Sequence, residues 1–192
     1  MELRISLLLF TALVLAVGSV RLLELNMSRR RQAVLVARGA RPVREPYFGA
    51  MVALHIGTLL GCLIEAWMRA SPPGLGLSAM MLGLVLGANL LRWWVIATLG
   101  PHWNVQIMAS LPLGVVTEGP FRWVRHPNYA AVFIELLALP LVHGAWISAL
   151  GCGAMHAWVL YHRIRCEEAM LMRDDEYRAR MSHKPRFIPG LV

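Results

Sequence analysis

Between Ala130 and Tyr161 the only formally charged side chain is Glu135. A single helix over that run would measure about 48 Å at about 1.5 Å per residue. The hydrocarbon core of a bilayer is only about 30 Å thick. Pro140, His143 and Gly144 offer a break near the middle. The run therefore predicts a helical hairpin with arms near 128–142 and 144–164. In lipid every backbone N–H and C=O has to be bonded internally, which leaves such a segment helical.

The rest of the chain agrees. Of its 192 residues 57% are hydrophobic, with a mean hydropathy of +0.54, where a soluble domain usually stays below about 50%. Three earlier apolar runs predict spans over 3–23, 48–68 and 77–99. The fold class is thus all-α integral membrane, with about five transmembrane helices, the last two forming the hairpin. The expected organisation is one membrane domain over 1–192. Its three N-terminal spans fall in 1–99 and its site-bearing core in 100–192. The first apolar run reads as a retained span, since no small-x-small cleavage site and soluble domain follow it.

Between spans one and two lies a polar loop, 26–46. Gly39 and Pro42 argue against one continuous helix there, while Asn26 and Ser28 could cap a short surface helix over 29–38. In span three, Gly83 and Gly87 form a small-xxx-small pair that would let a neighbouring helix approach closely. Glu65, Asn89, Arg92 and Glu135 fall inside spans, where ionisable and polar groups are costly and often functional. A Glu65–Arg92 or Glu135–Arg92 pair holding helices together is as reasonable as a substrate role. The tail over 173–180 mixes both charges and reads as a solvated helix.

The formal charge of +8 does not point to nucleic acid, because the basic residues fall between apolar runs rather than along one soluble face. It reads as positive charge kept on the cytoplasmic side. The 21–45 region carries seven arginines against two glutamates, whereas the next loop carries Arg69 alone. The N-terminus is then outside. Residues 100–128 and the C-terminal tail are cytoplasmic, in what would be a bacterial inner membrane. Cys62, Cys152 and Cys166 are too scattered for a disulfide framework or a metal site. His55, His143 and His156 likewise show no metal spacing and suit helix packing.

Two polar clusters flank the hairpin. The first is Gly119-Pro120-Phe121-Arg122-Trp123-Val124-Arg125-His126-Pro127-Asn128-Tyr129, and the second is Arg163-Ile164-Arg165-Cys166-Glu167-Glu168. Taken singly, Arg122 and Arg125 could be interfacial anchors, and Arg163 and Arg165 stop-transfer charges. If the hairpin closes, the clusters meet at one membrane surface, beside 100–128 and the tail. That suits a polar cofactor next to a lipid-soluble substrate.

The first cluster resembles the R-H-P-x-Y motif of the isoprenylcysteine carboxyl methyltransferases. Arg163-x-x-x-Glu167-Glu168, followed by Leu171, Tyr177 and Arg186-Phe187-Ile188-Pro189, is similar to that family's C-terminal pattern. The resemblance covers roughly residues 90–192. It implies a membrane enzyme using S-adenosylmethionine, with His126, Pro127, Asn128, Tyr129 and Glu167 enclosing the cofactor. Gln106, Leu113, Val115, Val116 and Phe121 align with further cofactor contacts, Leu113 standing where some relatives have a histidine. Arg163 aligns with a substrate-side arginine that would hold an ionised acceptor, and His126 is the nearest candidate base for a less acidic phenol. No metal is implied.

The first half of the chain resembles a bacterial subgroup associated with type III polyketide synthases. That favours an alkylresorcinol-, alkylquinone- or alkylpyrone-type lipid as acceptor, entering laterally from the bilayer, over a prenylcysteine carboxylate. The rival readings are an NADPH-dependent sterol-type reductase and a non-enzymatic membrane binding or assembly factor.

Overall fold

A computed structural model describes residues 2–43, 45, 47–69, 71, 73–109 and 114–188. It is all-helical apart from one short strand pairing. Helix α1 spans Glu2–Ala37, α2 Phe48–Arg69, α3 Leu75–Leu99, α4 Pro127–Leu141, α5 Trp146–Leu171 and α6 Asp175–Met181. Strand β1 (Arg41–Pro42) pairs antiparallel with β2 (Met108–Ala109). Helices α1, α2 and α3 are each long and apolar enough to cross a membrane, and α4 is a shorter apolar helix. The chain is an integral membrane protein. Its surface fits that solvent, for Leu8, Leu9, Leu22, Ile64, Leu90, Ile147 and Leu150 all point outward. Inside, Leu7, Phe10, Val14 and Val17 of α1 meet Cys62 and Ala66 of α2, Val85 of α3 and Leu139 of α4.

The hairpin turn falls where the breakers predict it. Gly144 takes φ 75°, and α4 and α5 pack against each other. Pro140 itself stays in the last turn of α4, where its carbonyl accepts from Ala145 N at 3.0 Å. The apolar part of α5 ends at Tyr161, and its last turns carry Arg163, Arg165, Glu167 and Glu168.

Four expectations need correction. The polar segment after span one is not a separate surface helix: α1 runs unbroken through Asn26 and Ser28 to Ala37. No Gly or Pro interrupts 19–38, and Ser28 turns inward, its hydroxyl accepting from Val105 N at 2.9 Å. Gly39 (φ 91°) ends the helix instead, with Ala40 N bonded to Leu35 O and Gly39 N to Val36 O, a Schellman arrangement. Gly83 and Gly87 face outward, and a Cβ at either would meet nothing within 4 Å. A close approach occurs instead at Gly153, against Leu137.

The intramembrane charges also pair differently. Glu65 accepts from Ile147 N (3.0 Å), Ser148 N (2.8 Å) and Ser148 Oγ (2.9 Å), so it satisfies the open N–H groups at the start of α5. Arg92 pairs with Glu24 and Glu135 with Arg21. Finally, α6 is not merely solvated, because it buries Tyr177 and Met181. Asp174 caps it by accepting from Tyr177 N at 2.8 Å.

Candidate active site

The first cluster is shaped by its backbone. Gly119 takes φ 54° and opens a 3-10 turn over Gly119–Arg122. A Cβ there would lie 2.5 Å from Thr98 Oγ1 and 3.0 Å from Thr98 Cγ2. Gly119→Ala combines that clash with left-handed strain. It is expected to cost roughly 1–3 kcal/mol, read as a lower thermal midpoint in detergent.

After the turn the C-terminal tail returns alongside. Arg125 N donates to Pro185 O and His126 N to Arg186 O, both at 2.9 Å. Lys184 Nζ donates to Phe121 O at 2.7 Å. Pro127 then starts α4 as its first residue, where no backbone N–H is needed.

Helix α5 brings Arg163 and Glu167 to one face, four residues apart, with Glu168 beside them. Glu168 is the hub. His126 Nε2 lies 3.0 Å from its Oε1 and Arg125 Nη1 at 3.1 Å. Arg186 donates to both oxygens, through Nε at 3.1 Å and Nη2 at 2.6 Å. Burial works against the Glu168 charge, but the hydrogen bonds from His126 and Arg186 and the charge of Arg125 hold its carboxyl at about 2. The other nitrogen of His126 faces Glu167 Oε2 at 3.8 Å. Nε2 is thus held by Glu168, while Nδ1 makes no hydrogen bond to Glu167 at that distance.

Arg163 is almost fully buried. Its Nη2 lies 2.8 Å from Glu45 Oε2 and donates to Val105 O at 3.0 Å, while its guanidinium faces the rings of Phe48 and Tyr129 at 5.9 Å each. Burial pushes the Glu45 carboxyl up, and Arg163 and the Ile107 N–H act in the opposite direction.

The 105–107 segment is tied down on every side. Ser28 holds Val105 N, Glu45 holds Ile107 N, Val43 N donates to Ile107 O at 2.9 Å, and Gln32 Nε2 donates to Gln106 Oε1 at 2.8 Å.

Beneath the clusters lies a polar network joining three helices. Arg21 donates to Glu24 (2.6 Å), Asn89 (2.6 Å) and Glu135 (3.0 Å). Arg92 donates to Glu24 through Nε (3.0 Å) and Nη2 (2.8 Å), and to Asn128 Oδ1 through Nη1 (3.2 Å).

Two cavities meet here. One of about 500 Å³ runs down between α1 and α2 past Gly18, Leu22, His55 and Leu59. The other, about 350 Å³, lies under the tail beside Asp174, Glu176 and Tyr177. Gln106, Phe121, His126 and Glu167 border both. Val115 and Val116 line the smaller, whereas Pro127, Asn128, Tyr129 and Arg163 line the larger. Leu113 lies outside the described residues. Sequence reasoning missed Glu45, and it did not give Glu168, Arg125 and Arg186, all present in the quoted motifs, their role in organising the site through one carboxylate.

Known proteins resemble this chain. A Bacillus subtilis (strain 168) protein, YpbQ, described as uncharacterized, is 29% identical over 154 residues, covering 79% of this chain and 89% of that protein. An uncharacterized protein of Haemophilus influenzae is 27% identical over 154 residues, covering 80% and 89%. The solved structure of the eukaryotic intramembrane Ras methyltransferase ICMT superposes with a TM-score of 0.59 at 21% identity. It covers 77% of this chain, which spans about half (54%) of that longer one. That likeness is one of fold. Residues 81–173, from α3 to just past the end of α5, match the isoprenylcysteine carboxyl methyltransferase (ICMT) family.

Proposed function

We propose that this chain is an S-adenosylmethionine-dependent O-methyltransferase that acts on a lipophilic acceptor drawn from the bilayer. The observation that carries the reading is the junction of the two cavities at His126 and Glu167. One cavity is mixed in polarity and opens under the tail; the other is mostly apolar and reaches between α1 and α2. Members of this family are S-adenosylmethionine-dependent methyltransferases.

The residues present fit that cofactor. Glu167 Oε2 and Arg125 Nε are buried at the junction without hydrogen-bond partners. They carry opposite charges, as a ligand with one ammonium and one carboxylate requires. Val115, Val116 and Phe121 supply apolar surface for an adenine. When bound, the cofactor supplies an electrophilic methyl group. The chain's part is to align the acceptor oxygen with that methyl and keep water out. Arg163, at the wall of the larger cavity, faces the acceptor's polar end, while the acceptor's tail lies along Gly18, Leu22 and Leu59.

In this reading α4 and α5 complete five spans as a hairpin within a single membrane domain. The N-terminus is outside and the site cytoplasmic, as the arginine excess of 21–45 requires. The favoured acceptors are alkylresorcinol-, alkylquinone- or alkylpyrone-type lipids, with a prenylcysteine carboxylate as the alternative.

S-adenosylhomocysteine should stabilise the detergent-purified protein by about 2.7 kcal/mol at a hundred times its dissociation constant. Glu167→Ala should abolish that gain in a protein that remains folded. Stabilisation by NADPH and not by S-adenosylhomocysteine would favour the reductase instead. A folded sample responding to neither would favour a non-enzymatic role.

A further inference from the structure

Every arginine that lines the larger cavity already faces a carboxylate. Arg21 has Glu24 and Glu135, Arg92 has Glu24, Arg125 has Glu168, and Arg163 has Glu45 at 2.8 Å. Glu168 is shared with Arg186 as well, and Glu167, also at the cavity wall, has no arginine partner. S-adenosylmethionine carries an ammonium, a sulfonium and a carboxylate, a net charge of one positive. Glu167 is the carboxylate placed to meet that positive charge. A carboxylate acceptor would bring a second negative charge to Arg163 in an apolar slot, next to Glu45.

Glu45 is also fixed in place. One oxygen accepts from Ile107 N, and the other lies against Arg163, whose guanidinium is braced by Val105 O. The side chains of both Glu45 and Arg163 are 3% exposed. Water offers Arg163 no alternative partner, so the pairing persists unless an anion displaces it.

We infer that Glu45 is a specificity-determining residue: its carboxylate fills the anion position beside Arg163, so the acceptor must present an uncharged hydroxyl rather than a carboxylate. This rests on the methyltransferase reading and on Arg163 facing the acceptor. Transfer breaks the methyl–sulfonium bond and returns its electron pair to sulfur. It forms the carbon–oxygen bond to the hydroxyl and releases the hydroxyl proton to water at the cytoplasmic mouth. Glu45 acts through Arg163 and is a positioning residue.

The test uses the full chain in detergent with two probes of equal chain length, a 5-alkylresorcinol and an S-alkylcysteine carboxylate. Wild type should favour the resorcinol in kcat/KM. Glu45→Gln removes the counter-charge while keeping the shape, and should move the ratio at least tenfold toward the carboxylate, mainly through its KM. Glu45→Asp should restore the wild-type order. A purely structural role would shift both probes alike, and that result overturns the inference, as does a wild-type preference for the carboxylate. If Glu45→Gln does not fold, the wild-type preference decides. If S-adenosylhomocysteine fails to stabilise wild type, the methyltransferase reading itself falls and takes this one with it.

Discussion

Glu24→Ala is expected to destabilise the detergent-solubilised protein by roughly 3–5 kcal/mol, the usual cost of removing one partner from a buried ion pair. Glu24 is 1% exposed and accepts three hydrogen bonds from two nitrogens of Arg92 and one from Arg21. Without it Arg21 keeps Glu135 and Asn89, but Arg92 keeps only Asn128. Water cannot take over as partner, so the loss is larger than at a protein surface. The double variant Glu24→Leu/Arg92→Met should recover much of the loss, because it removes one charge of each sign and leaves Arg21 with Glu135. Thermal midpoints of both single variants and the double test this. Simple additivity of the two single losses would mean that Glu24 and Arg92 do not act as a pair. The network also reaches the site, since Arg92 holds Asn128 next to His126. Any Glu24 variant that folds should therefore show a raised KM.

What could be read from the sequence follows from what hydropathy encodes. Spans two and three and the hairpin turn lie where apolar runs and breakers put them, because lipid leaves the backbone no other choice. The end of span one was hidden. Arg21 and Glu24 look like the polar close of a helix, yet nothing in 19–38 stops helix propagation, so α1 carries both inward to α3 and α4. The intramembrane charges were visible as unusual, but their pairing was not, because it depends on helix rotation. The same limit applies to Glu167 and Glu168. Adjacent residues on a helix point about 100° apart, and only the packing of α5 against residues 125–126 and the tail decides which carboxylate is bound up. Gly83 and Gly87 failed for a related reason, since small spacing permits close approach but does not say which face meets a neighbour.

Glu168→Gln should separate the two carboxylates by their responses to acid. The Glu168 carboxyl stands at about 2 against an ordinary value of 4.5. A depressed carboxyl contributes stability that is present above its unfolded value and lost as pH falls through the folded one. Wild type should therefore hold its stability down to about pH 4.5 and lose part of it between there and about pH 2. Glu168→Gln should be less stable at neutral pH and should lack that part of the acid limb. The variant leaves Arg125 and Arg186 without a counter-ion and weakens the His126 bond, all of which hold residues 184–186 against 121–126 at the edge of the site. Protease susceptibility of the tail should rise, and stabilisation by S-adenosylhomocysteine should fall at least tenfold in apparent affinity. Glu167→Gln should lose the ligand response while keeping the acid limb, since Oε2 of Glu167 has no hydrogen bond to lose. The reverse pattern, an unchanged acid limb in Glu168→Gln and an altered one in Glu167→Gln, would exchange the roles given to these neighbours. It would make Glu167 the residue that closes the site and Glu168 the one that meets the cofactor.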